Sequence, residues 1–251
     1  MDLGLKDKVA LITGAGSQIG FGKGMAMALA REGVDIIVCD MDLEGAEKTA
    51  EDVRATGRKA MAVKMDITNT DEVKQGVDAA LKKFGKIDIL INNAGVGTTP
   101  VPFVESTEKD WDINININLR GTMNVTRAVL PQMIERKTGR IISMSSTAGL
   151  SGMATGGVYG AAKAGVTLFT DALAKEVGQY NITVNCMAPG AGATNFHKAS
   201  NFPQQAQDQF KNMAAAGMTT TPEELGTVAA FLSSDKGKKI NGQCLRVAGL
   251  M

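Results

Sequence analysis

The sequence predicts an α/β protein whose doubly wound parallel sheet has about seven strands, with helices on both faces. Two observations lead to this prediction. Short runs of β-type residues are apolar throughout, as in strands that are covered on both faces, and stretches of helical periodicity alternate with them. Because the 251-residue chain shows no break in composition, we expect one domain over residues 1–251.

The expected strands recur along the chain, and each is short enough for a buried strand. They are residues 9–12, 36–38, 60–65, 87–91, 141–144, 182–187 and 244–247. Helices are predicted where apolar residues recur every three or four positions, at residues 24–31, 43–56 and 71–84. Since β and α segments alternate, the crossovers between parallel strands should be right-handed.

One long segment after the sixth strand, residues 191–221, is expected to be irregular because it is rich in Gln, Met, Thr and Asn. A long polar loop after a strand end in this fold class is expected to act as a substrate-binding lid. The segment contains the single histidine, His197, for which a solvated position is favoured over a substrate contact.

Composition narrows the classes of function. Lys plus Arg total 27 against 26 Asp plus Glu, so we expect a small-molecule substrate and no nucleic-acid or membrane partner. The polar start and the lack of a long apolar run predict a cytoplasmic protein. Cys39, Cys186 and Cys244 lie in apolar contexts and are expected to be buried thiols. One histidine argues against a metal site, so no metal is expected.

A glycine-rich loop, residues 13–22, follows the first strand. Glycines there would allow a tight turn and bring the backbone amides of a helix start close to a pyrophosphate, although an ordinary strand-to-helix loop is the alternative. Asp40 ends the second strand 26 positions after Gly14, near the spacing of an acid that accepts ribose hydroxyls; a strand-end cap is the alternative. An acid at residue 40 repels a 2′-phosphate, so NAD is expected rather than NADP. Neither Gly22 nor Met41 provides a cation that would attract that phosphate, although Lys23 follows Gly22 in the sequence.

Tyr159 and Lys163 are four residues apart, which places the phenol and the ammonium on one face of a helix. A tyrosine with a reference pKa of about 10 needs a nearby positive charge to carry protons near neutral pH. We therefore expect Lys163 to stabilise a phenolate at Tyr159. Ser146 precedes Tyr159 by thirteen positions.

Together, these features resemble the short-chain dehydrogenase/reductase family over almost the whole chain. Seven motifs occur in the order of that family: the glycine loop from Thr13, Asp66-Ile67, Asn92-Asn93-Ala94-Gly95, segment 111–121 with Asn118, segment 140–146, segment 159–163, and Asn185-Cys186-Met187-Ala188-Pro189-Gly190. The resemblance implies a Rossmann fold, a homotetramer and an NAD-dependent oxidoreductase that interconverts a secondary alcohol and its ketone by hydride transfer.

The resemblance also implies a catalytic group, formed by Asn118, Ser146, Tyr159 and Lys163. Ser146 would orient the substrate oxygen, while Tyr159 transfers the hydroxyl proton as hydride moves. Lys163 would favour the phenolate and bind the nicotinamide ribose, and Asn118 would hold a helix backbone and a water molecule. Ser146 is preferred over Ser145 because it begins a Ser-x-x-Gly pattern.

The cofactor-binding residues implied in the same way extend from the glycine loop to the end of the sixth strand. They are Gly14, Gln18, Ile19, Gly20, Phe21, Asp40, Met41, Asp66, Ile67, Asn92, Ala94, Gly95, Tyr159, Lys163, Pro189, Gly190 and Gly192. Asp66 and Ile67 would contact adenine, while Asn92, Ala94 and Gly95 would line the cofactor path and brace the sheet. Pro189, Gly190 and Gly192 would border the nicotinamide.

The chain departs from the family pattern at three places. Five residues instead of three separate Gly14 from Gly20, so residues 16–18 either add a polar contact to the cofactor or form an exposed bulge. Gly192 stands where the family usually has a branched apolar residue. The tail, residues 247–251, lacks the usual Asp-Gly-Gly and is expected to shape a subunit contact or the pocket.

Two alternative functions remain at this point. A 3-oxoacyl thioester, attached to CoA or to a carrier protein, is one alternative substrate for reduction. A dinucleotide-binding subunit without catalysis is the other, because a fold alone does not prove chemistry.

Overall fold

The computed structural model describes residues 2–192, 194–196, 200 and 202–248. Within these residues seven strands are present: β1 (Val9–Thr13), β2 (Asp35–Asp40), β3 (Ala60–Lys64), β4 (Ile89–Asn92), β5 (Gly139–Met144), β6 (Ile182–Pro189) and β7 (Cys244–Val247). The helices are α1 (Phe21–Arg31), α2 (Leu43–Ala55), α3 (Thr70–Phe84), α4 (Glu108–Ile115), α5 (Thr122–Arg136), α6 (Gly157–Val177), α7 (Gln204–Ala215) and α8 (Pro222–Ser233).

The strands form one parallel sheet in the order β3-β2-β1-β4-β5-β6-β7. The predicted doubly wound fold is therefore confirmed. The strand order reverses between β1 and β4, and ligands of open α/β sheets bind at the carboxyl ends of the strands beside such a reversal.

Apolar side chains fill both faces of the sheet, which explains why the strands lack alternation. Ile12 of β1 packs with Met25 and Leu29 of α1 on one face, while the neighbouring Leu11 packs with Val77 of α3 on the other. All five side chains are at most 2% exposed. Burial of each such side chain contributes about 1.5–3 kcal/mol, so the two apolar layers provide most of the stabilisation of the sheet.

The expectation of an irregular segment over residues 191–221 is wrong in its second half, where helix α7 lies. The stretch contains strong helix formers and neither Gly nor Pro; Pro203 precedes it, and Gly217 follows in a left-handed conformation. Its half-buried residues, which include Ala206 and Met213, recur after seven positions, as on one face of a helix. His197 lies outside the described residues, so its predicted position stays a prediction.

Two further expectations concern cysteines and membranes. Cys39 and Cys186 are buried, Cys244 is half-buried, and all three are free thiols. Among the helices of the described residues, none combines the length and apolarity that a bilayer crossing requires.

Candidate active site

A cavity of about 950 Å³ opens at the carboxyl ends of β1, β4, β5 and β6. Most of the predicted site residues line it: Gly14, Gly20, Phe21, Asp40, Met41, Asp66, Ile67, Ala94, Gly95, Ser146, Tyr159, Lys163, Pro189, Gly190 and Gly192. The fold thus brings motifs from residues 14 to 192 to one edge of the sheet, and the cavity is as large as typical pockets for cofactors and small ligands.

The phosphate-binding features are located at the start of α1. Its N-cap residue, Gly20, provides no side-chain cap, and the first turn contains no acidic residue, so the positive end of the helix dipole is available to an anion. A Cβ at Gly22 would lie 2.5 Å from the carbonyl oxygen of Gly14, so only glycine allows α1 to approach the loop this closely.

The predicted ribose acid, Asp40, is half-buried and lines the cavity. Its Oδ2 accepts a hydrogen bond of 2.7 Å from the amide of Gly16. Lys23, which directly follows Gly22 of the glycine loop, forms a 2.5 Å ion pair with Asp52 and also donates to the side chain of Gln18 at 2.7 Å. The position near Asp40 is therefore acidic, and the adjacent lysine is engaged elsewhere.

The longer glycine loop contains two polar side chains with different surroundings. Gln18 Nε2 donates to the carbonyl oxygens of Gly16 at 2.8 Å and Gly45 at 3.0 Å, so this amide fastens the loop to α2 instead of lining the main cavity. Ser17 does line the cavity, and its Oγ is buried without a hydrogen-bond partner among the described residues. A buried hydroxyl without a partner fits an oxygen acceptor of a bound dinucleotide. Ile19 is 52% exposed and is not among the residues that line the cavity.

Two neighbouring asparagines at the end of β4 have different roles. Asn92 is 3% exposed, and its Nδ2 donates to Thr126 Oγ1 at 2.9 Å and Ser143 Oγ at 3.2 Å. It braces the sheet, as predicted, but its side chain does not line the cavity. Sequence reasoning assigned no role to Asn93, which lines the cavity and bonds the carbonyl oxygens of Thr13 and Gly14. Asn93 follows Asn92, and successive side chains of a strand point to opposite faces. This alternation could have predicted that Asn93 has surroundings different from those of Asn92.

The predicted catalytic side chains converge at the carboxyl end of β5. Ser146 lies two residues after Met144, the last residue of that strand, and its hydroxyl is close enough to Tyr159 to influence the phenol. Lys163 Nζ lies 5.8 Å from the centroid of the Tyr159 ring and donates to the carbonyl oxygen of Met144 at 2.9 Å. The other serine, Ser145, instead bonds the backbone oxygen of Lys163 at 3.0 Å. This arrangement favours Ser146, rather than Ser145, as the serine that would contact the substrate.

Asn118 lies behind this group in a π-helical stretch, Asn116–Gly121, between α4 and α5. Its Nδ2 donates to the carbonyl oxygen of Val96 at 2.8 Å, and its Oδ1 accepts from the amide of Val96 at 3.1 Å. A Cβ at Gly95 would lie 2.8 Å from Asn118 Oδ1 and 3.1 Å from Lys163 Nζ. Asn118 therefore fixes the strand-end loop beside Lys163 from within the protein, and is fully buried rather than in the lining.

Burial controls the protonation of the catalytic pair. It raises the pKa of Tyr159 to about 12, although the hydroxyl of Ser146 acts in the opposite direction. It lowers the pKa of Lys163 to about 8. The net shift is therefore opposite to the expected lowering of the phenol pKa, because the desolvation of the buried Tyr159 outweighs the hydrogen bond with Ser146.

The remaining wall of the cavity is largely apolar and aromatic. Phe103 and Trp111 stack with their ring centroids 5.5 Å apart and their planes at 3°. Phe196 packs against Tyr159 at 5.8 Å, and Met153 also lines this side. Such a surface suits the carbon skeleton of an organic substrate. In the described residues no group of three His, Cys, Asp or Glu side chains is placed to hold a metal ion.

Comparisons with known proteins agree with this geometry. The family described as short chain dehydrogenase matches residues 8–205. A 3-oxoacyl-[acyl-carrier-protein] reductase, FabG, of Thermotoga maritima is 36% identical over 245 residues, which cover 98% of both chains. The (2S)-[(R)-hydroxy(phenyl)methyl]succinyl-CoA dehydrogenase subunit BbsD of Thauera aromatica is 37% identical over 247 residues, covering 98% of this chain and 97% of BbsD.

Solved structures give the same result. Levodione reductase superposes with a TM-score of 0.90 at 31% identity over 97% of both chains. NAD⁺-bound xylitol dehydrogenase superposes with a TM-score of 0.87 at 32% identity, covering 98% of this chain and 99% of that one. Fold, site geometry and relatives lead to one conclusion: the chain belongs to the short-chain dehydrogenase/reductase family, whose members are oxidoreductases that bind a nicotinamide dinucleotide.

Proposed function

We propose that this protein is an NAD-dependent oxidoreductase that interconverts a secondary alcohol and its ketone, with Tyr159 as the acid and base. The observation that carries the proposal is the convergence of Ser146, Tyr159 and Lys163 in the cavity that also contains Asp40 and the start of α1. A proton-transfer group and a dinucleotide-binding surface thus share one enclosed space.

Each catalytic side chain has a task that its surroundings support. The hydroxyl of Ser146 donates a hydrogen bond to the substrate oxygen and holds it next to the phenol of Tyr159. Tyr159 gives its proton to the oxygen of a ketone or removes the proton of an alcohol. Nicotinamide supplies the hydride, or accepts it, when the cofactor is bound. The raised pKa keeps the phenol protonated near neutral pH, which is the form required for ketone reduction.

Lys163 supports the tyrosine through its charge. In the oxidation direction, the ammonium 5.8 Å from the Tyr159 ring favours the phenolate that must form. Because the pKa of Lys163 is about 8, this ammonium begins to lose its proton in mildly alkaline solution. Asn118 contributes indirectly by holding the backbone of Val96 beside Lys163.

The preference for NAD over NADP rests on Asp40 and Lys23. A carboxylate at the end of β2 can accept the two hydroxyls of an adenosine ribose, whereas it repels a 2′-phosphate. Lys23, at the start of α1, could compensate the charge of a 2′-phosphate, but its ammonium is paired with Asp52. Ser17 and the uncapped first turn of α1 supply donors suited to the pyrophosphate side.

A second function, reduction of a 3-oxoacyl thioester, is supported by the names of two relatives. FabG of Thermotoga maritima is named as a 3-oxoacyl-[acyl-carrier-protein] reductase, and BbsD of Thauera aromatica as a subunit of a (2S)-[(R)-hydroxy(phenyl)methyl]succinyl-CoA dehydrogenase, so both names contain an acyl thioester. The same side chains would perform this reaction. A third reading, a dinucleotide-binding subunit without catalysis, predicts that no substrate supports hydride transfer.

The experiment that separates these readings is a substrate panel. Simple secondary alcohols, cyclic alcohols, polyols and 3-hydroxyacyl-CoA esters are assayed with NAD and with NADP by NADH or NADPH absorbance. The proposal predicts turnover with NAD and a free secondary alcohol. Turnover confined to the thioesters would establish the second function, and no turnover with any of them would favour the third.

We also propose that the protein is a homotetramer, as the family resemblance implies. Exposed apolar side chains on the helices expected at subunit contacts support self-association: Met123 on α5 is 37% exposed and Leu168 on α6 is 71% exposed. Light scattering coupled to gel filtration tests this proposal, and a monomeric mass would refute it.

A further inference from the structure

Arg246 on β7 lines the same cavity as the catalytic residues. Among the described residues of the lining, the cations are Lys163 and Arg246. Lys163 donates to the carbonyl oxygen of Met144. Arg246 is exposed, and its guanidinium has neither an ion pair nor a hydrogen bond to another residue within the described part of the chain. The active-site cavity therefore contains a permanently charged donor group without a protein partner.

The sheet determines the side from which Arg246 enters the cavity. Arg246 is in register with Ala188 of β6, and Ser145 continues the row on β5, where its amide donates to the carbonyl oxygen of Met187. Residues in one row point to the same face. Ser145 Oγ bonds the backbone oxygen of Lys163, so this is the face that α6 covers. Arg246 thus projects on the catalytic side of the sheet, about 10 Å from Ser145 between Cα atoms, since neighbouring strands are about 4.8 Å apart.

The other charges of the cavity do not pair with Arg246. Asp40 accepts hydrogen bonds from the glycine loop at the other end of the sheet, beside β2. Asp66 accepts hydrogen bonds from the amide and the hydroxyl of Thr68, and Asp110 closes a capping box with Thr107 at the start of α4. The site predicted for the pyrophosphate of the dinucleotide lies at the start of α1, so Arg246 is available to a group on the substrate. Apolar and aromatic side chains cover the wall on the substrate side of the cavity. A fixed positive charge in such surroundings favours an anionic substrate over an uncharged one.

We infer that Arg246 binds an oxyanion carried by the substrate, a carboxylate or a phosphate, so that the preferred substrate is an anionic secondary alcohol or ketone. A planar guanidinium can form two parallel hydrogen bonds to either group. The inference rests on the proposed function in so far as it calls the bound molecule a substrate. Binding of an anion at Arg246 can be measured without turnover.

Isothermal titration calorimetry of the protein saturated with NADH tests the inference. The probes are 3-phenylpropanoate, 3-phenylpropyl phosphate and the uncharged 3-phenylpropanamide, which share one apolar group. We expect the wild type to bind at least one anion about tenfold more tightly than the amide, as for a hydrogen bond to a charged group. The anion with the lower dissociation constant shows whether the site prefers a carboxylate or a phosphate.

Three variants test whether the preference for an anion comes from the side chain of Arg246. Arg246→Met should abolish it, whereas Lys238→Met, which removes an exposed charge outside the cavity lining, should retain it. Arg246→Lys should retain part of it, and an unchanged NADH dissociation constant shows that each variant is folded. The inference is refuted if the wild type binds neither anion more tightly than the amide, or if Arg246→Met keeps the preference. A retained preference without hydride transfer would instead refute the proposed function alone.

Discussion

The ring of Phe21 fills the space that a side chain at residue 192 would occupy, because a Cβ at Gly192 would overlap Cζ of Phe21. Both residues line the active-site cavity. Phe21 follows the longer glycine loop, and Gly192 replaces the branched residue that is usual after Pro189-Gly190. Two departures from the family pattern therefore meet in space, and the aromatic ring substitutes for the missing side chain as a wall of the cavity.

This contact predicts a compensating pair of substitutions. Gly192→Val should overpack the site, weaken NAD binding and lower the free energy of unfolding by about 1–3 kcal/mol. The double variant with Phe21→Ala should recover part of both losses, since the added side chain then has room. Gly152→Val is the matched control, because no heavy atom lies within 4 Å of a Cβ at that position. Equal losses in the single and the double variant would show that the two residues are not coupled.

The longer glycine loop gives a prediction that separates binding from stability. Ser17→Ala should weaken NAD binding about threefold to tenfold, which corresponds to the loss of one hydrogen bond, without a loss of stability. Gln18→Ala should do the reverse, because its amide bonds Gly16 and Gly45. Calorimetric NAD binding and urea unfolding measure the two effects. An unchanged NAD dissociation constant in Ser17→Ala would mean that the loop is structural only.

Cofactor preference should respond to the charge at residue 40. Asp40→Asn retains an acceptor for the Gly16 amide but removes the negative charge that repels a 2′-phosphate. We expect the ratio of the dissociation constants for NADP and NAD to fall about tenfold or more. Asp52→Asn, which releases Lys23 from its ion pair, is an informative companion and should improve NADP binding less. An unaltered ratio in Asp40→Asn contradicts the role of this acid.

The buried lysine makes stability depend on pH in a specific direction. Lys163 has a pKa of about 8 in the folded protein and 10.5 when unperturbed, so between these values the unfolded chain binds more protons and stability rises with pH. Lys163→Met removes this contribution. The free energy of unfolding of the variant, relative to that of the wild type, should therefore be highest near pH 7 and fall toward pH 10. Urea unfolding without added cofactor measures the difference, and a difference that is constant with pH would contradict the shift.

The sequence was sufficient to predict the sheet, and the proximity of the proposed catalytic residues within the fold, for identifiable reasons. Strands such as β1 are buried on both faces, so their unbroken apolar runs stand out against the flanking segments. Tyr159 and Lys163 are separated by one helical turn, so their proximity follows from local geometry. Ser146 lies two residues after the end of β5, which places it at the same sheet edge.

What the sequence did not predict depends on tertiary contacts. Helix α7 is polar and packs through few residues, so its periodicity is weak. Ser17 and Gln18 look equivalent in sequence, and only the position of α2 directs one into the cavity and the other to Gly45. The raised pKa of Tyr159 results from burial by distant segments, which spacing alone does not reveal.

The central claim, that Tyr159 transfers the proton of a secondary alcohol in an NAD-dependent reaction, is tested most directly by Tyr159→Phe. The variant retains the ring that packs on Phe196 and loses only the hydroxyl. With a substrate that the wild type turns over, hydride transfer is followed by NADH absorbance, and NADH binding is measured by calorimetry on the same preparation. We predict that turnover falls by at least about 100-fold while the NADH dissociation constant stays within about twofold. Undiminished turnover in a variant that binds NADH normally would contradict the assignment of Tyr159.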